Sequence, residues 1–115
     1  MYYVKKTFEV AGSHKLKLNY ESKCQNLHGH NWIITVYCES PTLDENGMVL
    51  DFKHIKNAVS DKLDHQNLNE VVDFNPTAEA IAEWIGKNIQ YCYKVDVQES
   101  QGNVARWSKY GEDRL

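Results

Sequence analysis

The sequence contains no run of eighteen apolar residues, so no segment is long enough to cross a bilayer as a helix. Neither G-x-G-x-x-G nor G-x-x-x-x-G-K occurs, which removes the glycine-rich dinucleotide- and nucleotide-binding classes. Positive charge is not in excess. The net charge of −3 argues against an electrostatic grip on nucleic acid or on an anionic membrane. There are two prolines, Pro41 and Pro76, both at apparent element boundaries. Repeats, low-complexity tracts and linkers are missing, so residues 1–115 are expected to form one domain. The three cysteines, at 24, 38 and 92, are an odd number. The opening MYYVKKTFEV alternates and has no secretory leader pattern, so the cysteines read as reduced thiols in a cytoplasmic protein. An apolar fraction of 42 % is ordinary, and a chain of this length can bury about two thirds of its unfolded surface. The surplus is in histidine: five residues, three of them between positions 14 and 30.

Residues 2–10 alternate as a strand, with Val4, Phe8 and Val10 on one face, interrupted by Lys6. Residues 31–39 (NWIITVYCE) are rich in β-branched and aromatic types and read as a second strand. Asp51 is positioned to cap a helix over 52–63, whose apolar stripe is Phe52, Ile55, Val59 and Leu63. A second helix opens at Asn75-Pro76-Thr77, with either Asn75 or Thr77 as cap, and carries Ala78, Ile81, Ile85 and Ile89. Residues 93–99 and 103–110 alternate again around a Gln101-Gly102 turn. The order β-β-α-α-β-β predicts an α+β layer: an antiparallel sheet covered on one face by two helices. Its open edges need protection, and pairing with other subunits is one way to supply it.

His28 and His30 lie two apart, so on an extended chain their side chains share a face. His14 closes the first strand region in AGSH. If the first two strands pair, three imidazoles meet, a donor set suited to Zn²⁺ with its fourth position open to water or substrate. No fourth ligand is evident, which favours a catalytic site; the alternative is three unrelated loop histidines. Cys24, near this group and beside Lys23, can be read as a ligand, a nucleophile, a base or simply a buried apolar side chain. Asp64-His65 can pair a carboxylate with an imidazole, although adjacency alone is weak evidence. Glu99 shares a strand face with Val95 and Val97. Either that face runs out into solvent there, or the carboxylate is held in a pocket for a donor-rich ligand. Cys38 and Cys92 read as buried thiols, His54 as solvated, Trp107 and Tyr110 as packing or interface residues. Lys15, Lys17 and Lys23 form either a solvated face or an anion contact.

The short segments AGSH, KCQNLHGHNW, GMVLDF, LDHQNLN, NPTAE and QES, in this order and spacing, resemble the 6-pyruvoyltetrahydropterin synthase / 6-carboxytetrahydropterin synthase family over nearly the whole chain. The resemblance implies the tunnelling fold, assembled into a barrel by several subunits, with hexamers built as paired trimers. It implies His14, His28 and His30 as ligands of Zn²⁺, and Cys24 with Asp64 and His65 as a proton-transfer triad. It implies Glu99 as the acid that anchors a pterin ring, and Thr77 and Glu79 as lining of its pocket. The implied substrate is 7,8-dihydroneopterin triphosphate, a small-molecule partner, with no nucleic acid or membrane involved. The short chain favours the carboxy branch, which releases acetaldehyde and triphosphate on the route to 7-deazaguanines such as queuosine, and Cys24 argues against a third branch that carries glutamate in its place. The alternatives are the pyruvoyl branch and a non-catalytic zinc- and pterin-binding module. Ser100 stands where the family usually has threonine.

Overall fold

A computed structural model describes residues 1–111 and 113–115. Two long strands form its centre, β1 (Tyr2–His14) and β2 (His28–Ser40), antiparallel from Tyr2↔Ser40 to His14↔His28. After β2 come α1 (Phe52–Leu63), a two-residue strand β3 (Gln66–Asn67), a single-turn helix α2 (Leu68–Val71) and α3 (Ala78–Asn88). The chain closes with β4 (Cys92–Ser100) and β5 (Asn103–Ser108). The sheet order is β3-β1-β2-β4-β5.

The α+β layer is therefore as expected, with two additions and longer central strands. β3 pairs parallel with β1 at Gly12 and Ser13, the one departure from an antiparallel sheet. Neither β3 nor α2 is long enough to display a hydrophobic period, so both were invisible in the sequence pattern. Their packing anchor is Leu68, which is buried against Gly12; a Cβ at Gly12 would stand 3.2 Å from the Leu68 methyl.

Alternation explains the core. Phe8 and Val10 on β1, Trp32, Ile34, Val36 and Cys38 on β2, and Val95 and Val97 on β4 all face the helices and are buried. Ile55, Val59 and Leu63 of α1 and Ile81, Ala82 and Ile85 of α3 cover them. Asp51 caps α1 by accepting from the Lys53 N–H at 2.9 Å, as expected. Of the two proposed caps for α3, Thr77 is the one used: its Oγ accepts from the Ala80 N–H at 3.1 Å. Phe52 departs from the expected stripe. It is 50 % exposed, because the first residue of α1 overhangs the end of the core beside Met48 and Tyr3. Trp107 packs across α3 at Gly86, where an added Cβ would stand 2.2 Å from the indole ring.

The opposite face of the sheet is polar and carries an ion cluster. Asp96 accepts from Arg106 at both oxygens, at 2.6 and 2.8 Å, and from the Tyr37 hydroxyl at 3.0 Å. Burial alone would raise the Asp96 carboxyl, but the bonds from Arg106 and Tyr37 outweigh it and hold it below the ordinary range. A carboxylate with a depressed folded-state pKa stabilises above its unfolded value of about 3.9 and loses that contribution as pH falls through the folded value. Asp96→Asn is expected to cost about 1.5–3 kcal/mol at neutral pH. Urea titrations at pH 7 and pH 3 check this: the gap between variant and parent should narrow at the lower pH.

Candidate metal centre and surrounding residues

His14 and His28 form the last pair of the β1–β2 ladder, and His30 stands opposite Gly12. All three project to the helix-covered face, in line with Val10 and Trp32. Their ring centroids are 4.6, 4.8 and 5.2 Å apart. Trp32 forms the floor of the site. Its ring lies 4.8 Å from His14 and 5.4 Å from His30, and its Nε1–H donates to the Gly12 carbonyl at 3.0 Å. The sequence reading passed over Trp32, although its place two residues beyond His30 puts it on the same strand face.

Carbonyl groups fix the orientation of two of the rings. The His14 Nδ1–H donates to the Pro76 carbonyl at 2.8 Å, and the His28 Nδ1–H to the Asn26 carbonyl at 2.7 Å. A carbonyl only accepts, so the proton sits on Nδ1 and each Nε2 keeps its lone pair for the centre. Burial lowers the His14 pKa more than the Pro76 bond and Glu99 raise it, which favours the neutral, ligating form.

Glu99 completes the group. Its Oε1 lies 3.2 Å from His30 Nε2 and its Oε2 3.9 Å from His14 Nε2. One donor atom from each of His14, His28, His30 and Glu99 falls within 4.8 Å of the others. Ligands of a tetrahedral zinc with bonds of about 2.0–2.1 Å stand about 3.3 Å apart, so a modest contraction accommodates the ion. The Nε2 atoms of His14 and His30 are buried and have no hydrogen-bond partner. Buried ring nitrogens without a hydrogen bond are costly unless a partner or a cation meets them. The residues present therefore fit a divalent metal with borderline-soft preferences.

This corrects the expectation that no fourth donor stands near the histidines. Glu99 is 69 residues from His30 in sequence, and only the β2–β4 pairing, with Ile33 opposite Gln98, brings them together. Glu99 is half-buried, so its place on the Val95–Val97 face does not run out into bulk solvent. It also lines a hollow of about 530 Å³ with Glu79, Ala78 and Asn103. Thr77 precedes this hollow as the α3 cap, and Glu79 is exposed on the first turn.

Cys24 is half-buried in a 3₁₀ turn, Lys23–Gln25, where its N–H donates to the Ser22 Oγ at 3.2 Å. It lies outside the converging donor set, so of its several readings that of a metal ligand gains no support. Cys38 and Cys92 are buried cross-strand neighbours, and their shared hydrogen bond together with burial pushes the Cys38 thiol up, as fits inert core residues.

Asp64 and His65 are pinned to the outer edge of β1. The Ala11 N–H donates to Asp64 Oδ1 at 2.9 Å, and the His65 N–H donates to the Ala11 carbonyl at 2.6 Å. His65 holds a left-handed backbone, φ 59°, and its side chain is 82 % exposed, with Nε2 3.7 Å from Asp64 Oδ2. It borders an open hollow at the sheet edge with Ala11, Ser13, Gly29 and Asn31, of the face opposite the metal donors, and with Gly12 and His30, of the donors' own face. One chain thus gathers the histidines and Glu99 and holds Asp64 and His65 at the outer edge of β1, while Cys24 lines neither the donor set nor the hollow beside His65. Lys15, Lys17 and Lys23 are exposed, and so is His54.

An antiparallel sheet with helices on one face, and a histidine cluster able to hold a metal at the end of its central strands, defines a tunnelling-fold protein with a candidate metal site. The chain belongs to the 6-pyruvoyl tetrahydropterin synthase family, whose model matches residues 3–109. It is 35 % identical over 121 aligned positions to a 6-carboxy-5,6,7,8-tetrahydropterin synthase of Synechocystis, covering 93 % of each chain. It is 34 % identical over 90 positions to a dihydroneopterin monophosphate aldolase of Pyrococcus furiosus, covering 76 % of each. The fold matches the structure of Caenorhabditis elegans 6-pyruvoyl tetrahydropterin synthase with a TM-score of 0.73, at 24 % identity and over 93 % of this chain and 94 % of that one.

Proposed function

We propose that this chain is a zinc-dependent 6-carboxy-5,6,7,8-tetrahydropterin synthase. The observation that carries the reading is the buried set of His14, His28 and His30 with two orphaned Nε2 atoms, in a chain of this family whose Cys24 stands nearby in sequence but outside the donor set. A relative of that description aligns over nearly the full length.

The substrate under this reading is 7,8-dihydroneopterin triphosphate, and the products are 6-carboxytetrahydropterin, acetaldehyde and triphosphate. One water enters. The ring gains two electrons from the side chain, so the redox balance is internal and no nicotinamide or flavin is required. His14, His28 and His30 would hold the zinc, leaving Glu99 to the pterin, and the ion would supply Lewis acidity that makes C–H bonds beside the side-chain oxygens more acidic. Cys24, as thiolate, accepts a proton from carbon. His65 moves a second proton, with Asp64 fixing the orientation of its ring. The pterin's amino and N–H groups suit the carboxylates of Glu99 and Glu79, which face one hollow, with Thr77 next in sequence to its Ala78. Glu99 faces the metal donors and this hollow together, so ring and side chain would bind side by side.

The location of His65 supports an assembled enzyme. Its exposed ring at the outer edge of β1 is available to a neighbouring subunit's site. The outer edge of β1 between Tyr2 and Val10 and that of β5 have no partner strand among the described residues. Edge pairing between copies would satisfy both, and closure of several sheets into a barrel is the arrangement that leaves no free edge. We place the protein in the cytoplasm, on the route to queuosine and related 7-deazaguanines.

Acetaldehyde tests the reading directly. Incubation of the zinc-loaded protein with 7,8-dihydroneopterin triphosphate should release one acetaldehyde per triphosphate, measured by reduction with alcohol dehydrogenase and NADH. Triphosphate release without acetaldehyde would move the assignment to the pyruvoyl branch. Binding without either product would leave a pterin-binding module.

A further inference from the structure

Beyond His14 the chain leaves the β1–β2 ladder, because His14↔His28 is its final pair. Residues 15–18 nevertheless remain tied down on both sides. On one side stand two asparagine side chains. Asn69 Oδ1 accepts from the Lys15 N–H at 2.8 Å, and its Nδ2 donates to the Lys15 carbonyl at 3.0 Å. Asn75 does the same for Lys17, at 2.8 and 3.0 Å. A carboxamide carries one acceptor and one donor side by side, as a peptide group does, so each asparagine replaces one residue of a missing partner strand.

On the other side stands the Cys24 turn. The Leu16 N–H donates to the Cys24 carbonyl at 2.7 Å, and Gln25 Nε2 donates to the Leu18 carbonyl at 3.2 Å. The sides alternate along the segment as in an extended chain: residues 15 and 17 face the asparagines, 16 and 18 the turn. Apart from the Asn26 carbonyl, which accepts from His28 Nδ1 at 2.7 Å, the remaining bonds of the Cys24 turn among the described residues run within 22–26.

We infer that Asn69 and Asn75 are positioning residues for Cys24. They hold residues 15–18 as a strut between the metal ligand His14 and the turn that carries the thiol. Their effect reaches Cys24 through Leu16 and Leu18, and their side-chain bonds to this segment go to the Lys15 and Lys17 backbone rather than to a metal donor. The inference rests on Cys24 as the proton-transfer group of the proposed reaction. It also ties two distant stretches to the thiol: Asn69 follows the Asp64-His65 pair, and Asn75 precedes Thr77.

The test uses Asn69→Asp and Asn75→Asp, which keep shape and acceptor but replace the donor with an oxygen facing a carbonyl. Asn75→Ala serves if an aspartate variant does not fold. Alkylation of Cys24 by iodoacetamide is followed across pH by peptide mass spectrometry on the zinc-loaded protein, with buried Cys38 and Cys92 as internal controls. Zinc content and kcat and KM for dihydroneopterin triphosphate are measured on the same samples. Displacement of a reacting group by about 1 Å can cost about 100-fold in rate. We expect kcat to fall by about 10- to 100-fold with KM nearly unchanged, zinc retained, and the pH profile of Cys24 alkylation displaced. Folded, zinc-loaded variants with the parent's alkylation profile and kcat would overturn the inference. A shifted alkylation profile would uphold the strut's role even if Cys24→Ala retained turnover, in which case only the catalytic reading of Cys24 would fall.

Discussion

Alanine in place of Cys24 is expected to lower turnover of dihydroneopterin triphosphate by about 10²- to 10⁴-fold, the usual worth of a positioned proton-transfer group. The protein should stay folded and keep its metal. Both expectations follow from where the residue sits. The turn 23–25 is closed by the Ser22 hydroxyl, the Gln25 side chain and the backbone bond to Leu16, none of which uses the sulfur. The thiol also lies outside the four converging donors, so its removal leaves the coordination intact. Steady-state kinetics and elemental analysis on the same preparation separate the two effects. Turnover at the parent's rate would remove Cys24 from the mechanism, and loss of zinc would make it a ligand after all.

Alanine in place of His30 should have the opposite signature: metal and activity are lost together. Losing even a group that orients a ligand commonly weakens metal binding by about 10- to 100-fold, and removing a ligand outright costs more. His30 is a cleaner choice than His14. The His14 side chain is fully buried against Trp32 and bonded to Pro76, so its truncation would add a cavity and a stranded carbonyl. His30 keeps 18 % of its side chain exposed and bonds no carbonyl, so the fold should tolerate its loss. A zinc titration with a chelating indicator, read beside the melting temperature, checks this. Parent-like zinc affinity in a folded His30→Ala variant would contradict the donor set described above.

The sequence made some parts of this account visible and hid others for definable reasons. Strand alternation is a local signal, so the shared face of His28 and His30 was legible, and pairing with His14 followed from one hairpin. Capping is also local: Asp51 announced α1, and Asn75-Pro76-Thr77 announced α3 with two possible caps, of which Thr77 is the one used. Glu99 was legible as an acid on an apolar strand face, but not as a neighbour of His30, since that contact depends on the register between strands far apart in the chain. Asp64-His65 could be seen as a pair. Its placement at the outer edge of β1 could not, because two hydrogen bonds to the Ala11 backbone decide it. Asn69 and Asn75 carry no periodic signature at all. Their role exists only once the segment after His14 lies beside them.

The central claim joins a histidine-held zinc to the chemistry of a pterin side chain, and identification of the product by mass spectrometry tests it most directly. The zinc-loaded protein, given 7,8-dihydroneopterin triphosphate, should form 6-carboxytetrahydropterin, and the product should vanish when the metal is removed and return when zinc is restored. An unchanged substrate, or the same product at the same rate from metal-free protein, would contradict the account.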